Sequence, residues 1–122
     1  MGKLESREDY LERILMLSET NQRVRAIDIA NSMNYTKASV SIALKKLKSN
    51  GHILVDEHGN IILTEQGKKI ALEIYEKHKI ISSFLIMIGV DEQIAKEDAC
   101  KIEHDLSDES FEKIKEYLYK AK

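Results

Sequence analysis

A chain of 122 residues with a formal net charge of −2, 43% hydrophobic and 33% charged residues and no proline is sized for one compact domain, or a small domain with an extension, and is too apolar to be disordered. One cysteine excludes an internal disulfide and fits a reducing, cytoplasmic compartment. No signal peptide is visible, and the longest apolar stretch, Ile80 to Val90, is interrupted by Ser82 and Ser83 and falls well short of the ~20 residues of a membrane span, so no membrane role is expected. The near-neutral total hides an asymmetry: residues 1–70 carry 11 Lys and Arg against 9 Asp and Glu, whereas residues 71–122 carry 8 against 12. The basic front half leaves nucleic acid open as a partner, and the acidic back half suits cations.

In chain order, Ser6 is expected to cap a first helix running to about Thr20, with Tyr10, Ile14 and Leu17 at apolar spacing. Val24 to Met33 reads as a short second helix with Ile27 and Ala30 inward, and Asn34-Tyr35 as a turn. Thr36 then caps a third helix whose Val40, Ala43, Leu44 and Leu47 fall at i, i+3, i+4 and i+7, ended by Asn50-Gly51. The β-rich runs His52–Val55 and Asn60–Leu63 flank Asp56-Glu57-His58-Gly59, which predicts a hairpin. This order is a winged helix-turn-helix. A long fourth helix starts at Thr64-Glu65-Gln66-Gly67 with the inward stripe Ile70, Ile74, His78, Ile81, Leu85 and Ile88, and Gly89 stops it. Asp91 caps a fifth helix and Ser107 a sixth, the latter with Phe111, Ile114 and Leu118 along one side. With Ile94, Ile102 and Leu106 these offer more apolar surface than a short two-helix extension can bury alone, so dimerisation through about residues 89–118 is expected. The fold class is therefore mainly α: a winged helix-turn-helix over 1–70, then a helical region over 71–122, with a soft boundary inside the fourth helix.

Two sets of residues carry chemistry. On the third helix, Lys37, Ser41, Lys45 and Lys48 with Thr36, Ala38 and Ser39 near its start form a face suited to the major groove; an isolated helix of this kind is more often an ordinary solvated basic face, but the hairpin and the Leu63-Thr64-x-x-Gly67 exit favour DNA binding. Cys100, Glu103 and His104 stand at i, i+3 and i+4, flanking the apolar stripe Ala95, Ala99, Ile102 and Leu106 on one side, and this thiol, carboxylate and imidazole suit a divalent transition metal. His78 replaces an aliphatic residue in an apolar stripe, although core histidines are commoner than ligands. Asp9 and Glu12 are further ligand candidates, with Ser6-x-x-Asp9 equally readable as a capping box.

The ordering Asp9-x-x-Glu12, winged helix, His78, Cys100-x-x-Glu103-His104, together with Ile88-Gly89-Val90-Asp91, resembles the metal-dependent repressors of the diphtheria-toxin-repressor (DtxR/MntR) family over nearly the whole chain. The resemblance implies a homodimer that binds a palindromic double-stranded DNA operator and represses metal-uptake genes when Mn²⁺ or Fe²⁺ is plentiful, with Co²⁺ or Zn²⁺ usable in vitro. It also implies metal ligation by Asp9, Glu12, His78, Glu103 and His104, as in the manganese branch, while Cys100 resembles the iron branch. The carboxylate and imidazole of the iron branch's ancillary site are replaced here by Ser82 and Lys96, so no second site of that type is expected. Two alternatives remain at this stage: a metal-independent winged-helix regulator responding to a small ligand, which leaves the six-ligand pattern unexplained, and a small metallohydrolase, for which no cleft or general base is evident. An enzyme is not expected.

Overall fold

The computed structural model describes residues 3–121, with side chains from residue 7 onward, and the chain divides into two compact units, Met1–Leu72 and Glu73–Lys122. The first contains α1 (Lys3–Thr20), α2 (Ala26–Met33), α3 (Lys37–Ser49), the antiparallel pair β1 (Ile53–Val55) and β2 (Ile61–Leu63), and the start of α4 (Glu65–Met87). The second contains the rest of α4 with α5 (Glu92–Ile102) and α6 (Asp108–Ala121). The side chain of Ser6, expected to cap the first helix, lies outside the described residues; α1 is already helical from Lys3.

The first unit is built on a core of Leu11 and Ile14 from α1, Ile29 from α2, Val40, Leu44 and Leu47 from α3, and Ile53 and Ile61 from the hairpin. Thr36 caps α3, its hydroxyl oxygen accepting from the Ser39 amide at 3.1 Å. The strands pair Ile53 with Leu63, Leu54 with Ile62 and Val55 with Ile61, so that Ile53 and Ile61 turn inward while Leu54 and Ile62 face solvent. One expected boundary moves. Val24 is not helical: its carbonyl accepts from the Ile61 amide at 2.7 Å, so it extends the hairpin as a buried strand-like edge, and α2 starts only after Arg25. Ile27 consequently faces outward.

The junction between hairpin and α4 is the tightest part of this unit. The Thr64 amide donates to the His52 carbonyl at 3.1 Å, the Thr64 hydroxyl donates to the Gly51 carbonyl at 2.7 Å, and the same oxygen accepts from the Gly67 amide at 3.1 Å. Thr64 thus caps α4 and closes the hairpin at once. Gly67 is required here because a Cβ on it would stand 2.0 Å from the His52 carbonyl oxygen. His52 is buried at the start of β1, and burial together with the nearby Arg7 charge pushes its imidazole below the usual histidine range.

In the second unit, Ile80 of α4 packs with Phe111 and Leu118 of α6, and Leu106 and Ile114 close over them. Phe84 and Tyr117 meet edge to face at 6.2 Å, and Lys77–Asp108 and Lys115–Glu76 pairs at 3.6 and 3.5 Å flank the same seam. The C-terminus of α4 closes with Gly89 at φ 105 and the Val90 amide donating to the Leu85 carbonyl at 2.9 Å, a left-handed stop that only glycine adopts without strain. Ile88 therefore lies beyond α4 and is exposed rather than completing its inward stripe. Asp91 caps α5 through the Gln93 and Ile94 amides, and Ser107 caps α6 through the Ser110 amide. Phe111 and Leu118, which the sequence suggests as part of a dimer surface, are 5% and 3% exposed within this unit and belong to its own core. The large apolar side chains left outside are Ile86, Met87, Ile88 and Ile94, on either side of the Gly89 turn, with Tyr117 and Tyr119 on α6.

Gly67→Ala is expected to unfold the hairpin–α4 junction, costing about 2–4 kcal/mol because the clash is with backbone. Thermal or urea unfolding measures this; Gly59→Ala, where an added Cβ meets nothing within 4 Å but φ is 83, gives a milder loss from backbone strain alone.

Candidate metal centre and DNA-reading face

His78 sits in the middle of α4, and α5 ends at Ile102, so that Cys100 belongs to its last turn while Glu103 caps its C-terminus with helical φ and ψ. The helical-wheel reading leaves this carboxylate at the edge of the helix; in the structure it lies inward, between the two imidazoles. Glu103 is 1% exposed. Its Oε2 lies 3.0 Å from His78 Nδ1, its Oε1 lies 3.5 Å from His104 Nε2, and Cys100 Sγ lies 3.6 Å from the same His78 Nδ1. One ligand atom each from His78, Cys100 and Glu103 fall within 4.8 Å of one another.

The arrangement is chemically specific. An ionised carboxylate removed from water is expensive unless positive charge compensates it, and both imidazoles that face Glu103 can provide that charge only when protonated. A divalent ion on the same donors supplies it without protons, and thiolate, imidazole and carboxylate together suit first-row transition metals. The second unit thus gathers His78, Cys100, Glu103 and His104. Asp9 and Glu12 stand on α1 of the first unit, one turn apart, Asp9 half-buried and Glu12 buried. Lys96 pairs with Glu92 at 3.2 Å and Ser82 is buried, so neither position offers a further ligand set.

On α3, the seven residues expected to form the DNA face are all exposed: Thr36, Lys37, Ala38, Ser39, Ser41, Lys45 and Lys48. The Thr36 hydroxyl is committed to the cap, which it shares with the Ser39 hydroxyl at 3.0 Å. Ile42 and Lys46, not named in the expected face, are exposed as well; counting the angle from Val40 and Leu44 puts Ile42 ~160° from each, at the outward pole. Sequence reasoning missed how the wing is held. Asp56 accepts from the His58 and Asn60 amides at 2.8 and 2.9 Å and from the Asn60 side chain at 3.0 Å, contacts that hold its carboxyl below the usual range, the Asn60 amide contributing most. Arg25, at the N-cap of α2, donates from Nη2 to the His58 carbonyl at 2.8 Å and ties that turn back to the helix-turn-helix.

Comparison with known proteins agrees with both halves. The profile of a family described as "Iron dependent repressor, N-terminal DNA binding domain" matches residues 4–60, and that of "Iron dependent repressor, metal binding and dimerisation domain" matches residues 64–122. The chain is 41% identical over 120 residues to an uncharacterised HTH-type transcriptional regulator of Methanocaldococcus jannaschii, covering 97% of this chain and 96% of that one. It is 37% identical over 109 residues to the HTH-type transcriptional regulator MntR of Bacillus pumilus, covering 89% and 76%. It superposes on the manganese regulator SloR with a TM-score of 0.82 at 32% identity, over 93% of this chain but 53% of that one, so it spans about half the length of that solved structure.

Arg25→Ala is expected to free the wing turn while leaving the Arg25 amide bond to Asp28 at 2.9 Å in place. Amide exchange at residues 56–60 should quicken, at a stability cost of no more than ~1 kcal/mol for one exposed hydrogen bond. Unchanged exchange there would show that Asp56 alone holds the turn.

Proposed function

The chain belongs to the family of iron-dependent repressors that includes DtxR and MntR, and on that premise we propose that it represses metal-uptake genes when cellular Mn²⁺ or Fe²⁺ is abundant, binding a palindromic operator as a homodimer in the cytoplasm. The observation that carries this reading is the buried carboxylate of Glu103 held among His78, His104 and Cys100. We assign His78, Cys100, Glu103 and His104 as metal ligands, and add Asp9 and Glu12 as harder oxygen donors on the strength of the Asp9-x-x-Glu12 pattern. A bound divalent ion supplies positive charge and a preferred coordination geometry. Among the described residues no helix is long and apolar enough to cross a membrane. The family is one of DNA-binding regulators, and neither the hydrolase nor the metal-independent reading gains support from it.

The residues then divide the work. A divalent ion held by His78, Cys100, Glu103 and His104 would compete with protons for the imidazole and thiolate donors, so metal affinity would rise with pH. Asp9 and Glu12, if they ligate as the pattern suggests, would supply the harder oxygen donors from α1. Lys45 and Lys48 contact phosphates, while Thr36, Lys37, Ala38, Ser39 and Ser41 near the start of α3 govern sequence choice. A hundredfold preference of metal for the DNA-competent arrangement needs only about 2.7 kcal/mol of coupling, within the ordinary allosteric range. Two reading helices ~34 Å apart, or a multiple of that, would meet successive major grooves.

The test is a DNA-binding titration of apo protein with Mn²⁺, Fe²⁺, Co²⁺ and Zn²⁺. We expect tight sequence-specific binding only with metal, loss of the metal response in His104→Ala with the fold retained, and a shift toward Mn²⁺ in Cys100→Glu because a carboxylate is harder than a thiolate. Equal affinity with and without every metal would overturn the proposal.

A further inference from the structure

A large branched apolar side chain stands in water at the centre of the helix that reads DNA. Ile42 is 60% exposed, and the buried residues Val40, Leu44 and Leu47 lie on the opposite side of α3. At 100° per residue its neighbours on the outward face are Ala38, Ser39, Lys45 and Lys46, each within ~60°. A helix entering the major groove presents this pole to the base edges, and the flanking lysines to the phosphates on either side. One flank opens into a groove of about 390 Å³ lined by Arg7, Tyr10, Ser39, Ile42, Lys46 and Asn50. The Arg7 Nε beside it is buried with no hydrogen-bond partner among the described residues. Arg7 and Lys46 thus add cationic rims next to the apolar pole, as a sugar–phosphate backbone passing beside a contacted base would require.

Ile42 has no donor or acceptor, so it cannot recognise guanine, cytosine or adenine through their hydrogen-bonding edges. The one apolar group that the major groove displays is the 5-methyl of thymine. We propose that Ile42 is a specificity-determining residue of the DNA-reading face, packing against a thymine methyl in each half of the operator. This rests on the DNA-binding reading above and adds what one side chain selects. Cys, Glu and His ligands take no part in it, and the substitution sites lie on the exposed face of α3, away from the core.

The experiment uses full-length, Mn²⁺-loaded protein and a duplex selected by it from a random-sequence pool, with each thymine replaced in turn by deoxyuridine, which lacks only the methyl. Wild type should weaken about fourfold for the one thymine that Ile42 covers in a half-site, the effect of one methyl-sized group, and should be indifferent elsewhere. Ile42→Ala should bind the unmodified duplex more weakly and lose that uracil sensitivity, while Ile42→Val keeps part of it. Salt dependence should stay the same in all three, since no charge is altered. A selected site without thymine, or an Ile42→Ala profile identical to wild type, would overturn the proposal while leaving DNA binding intact. If metal-loaded protein enriches no duplex at all, the underlying reading fails and this inference falls with it.

Discussion

Glu103 is the constraint on which the second unit turns. A carboxylate at 1% exposure, 3.0 Å from His78 Nδ1 and 3.5 Å from His104 Nε2, ties the middle of α4 to the turn that follows α5. The hydrocarbon seam of Ile80, Phe111 and Leu118 packs α4 against α6 without any such requirement. Apolar packing tolerates exchange of similar volumes, whereas a buried charge requires its partners in place. The polar cluster is therefore the part of this unit that needs compensating positive charge rather than matching volume. That makes it suited to report metal supply, because a ligand that binds one arrangement better than another shifts the balance by its differential affinity alone.

The first unit is rigid where the second is responsive. Thr64 and Gly67 lock the hairpin to α4, and Asp56 and Arg25 lock the hairpin's turn to itself and to α2. α3 is capped at its start by Thr36 and held by three core side chains beneath, so its outward face is presented as one preformed surface. A reading head of this kind need not fold on DNA, and no ordering cost is deducted from affinity.

Much of this was visible in the residues because the relevant signals are local. Thr36, Asp91 and Ser107 each precede a helix by one position and cap it with their own side chains, and Gly89 ends α4 for a reason that lies within its own φ. The winged order was legible for the same reason. What escaped depends on partners distant in sequence. Val24 looks helical beside Ile27 and Ala30 and becomes strand-like only because the Ile61 amide needs its carbonyl. Phe111 and Leu118 look available for a dimer until Ile80 is seen to cover them. Glu103 reads as the flank of an amphipathic helix, and its burial depends on His78 of α4, 25 residues away in sequence. Ile42 was not named on that face, although its angle on the helix was countable.

The central claim is that the Cys100, His78, Glu103 and His104 cluster holds a transition metal through its thiolate. The most direct measurement is a Co²⁺ titration of the apo protein followed by near-ultraviolet absorption. A sulfur-to-cobalt charge-transfer band that saturates at a fixed stoichiometry and disappears in Cys100→Ser, while the visible ligand-field bands persist through the remaining donors, is the predicted result. Wild-type protein that takes up Co²⁺ with no such band would contradict the account and leave Cys100 as a packing residue beside His78.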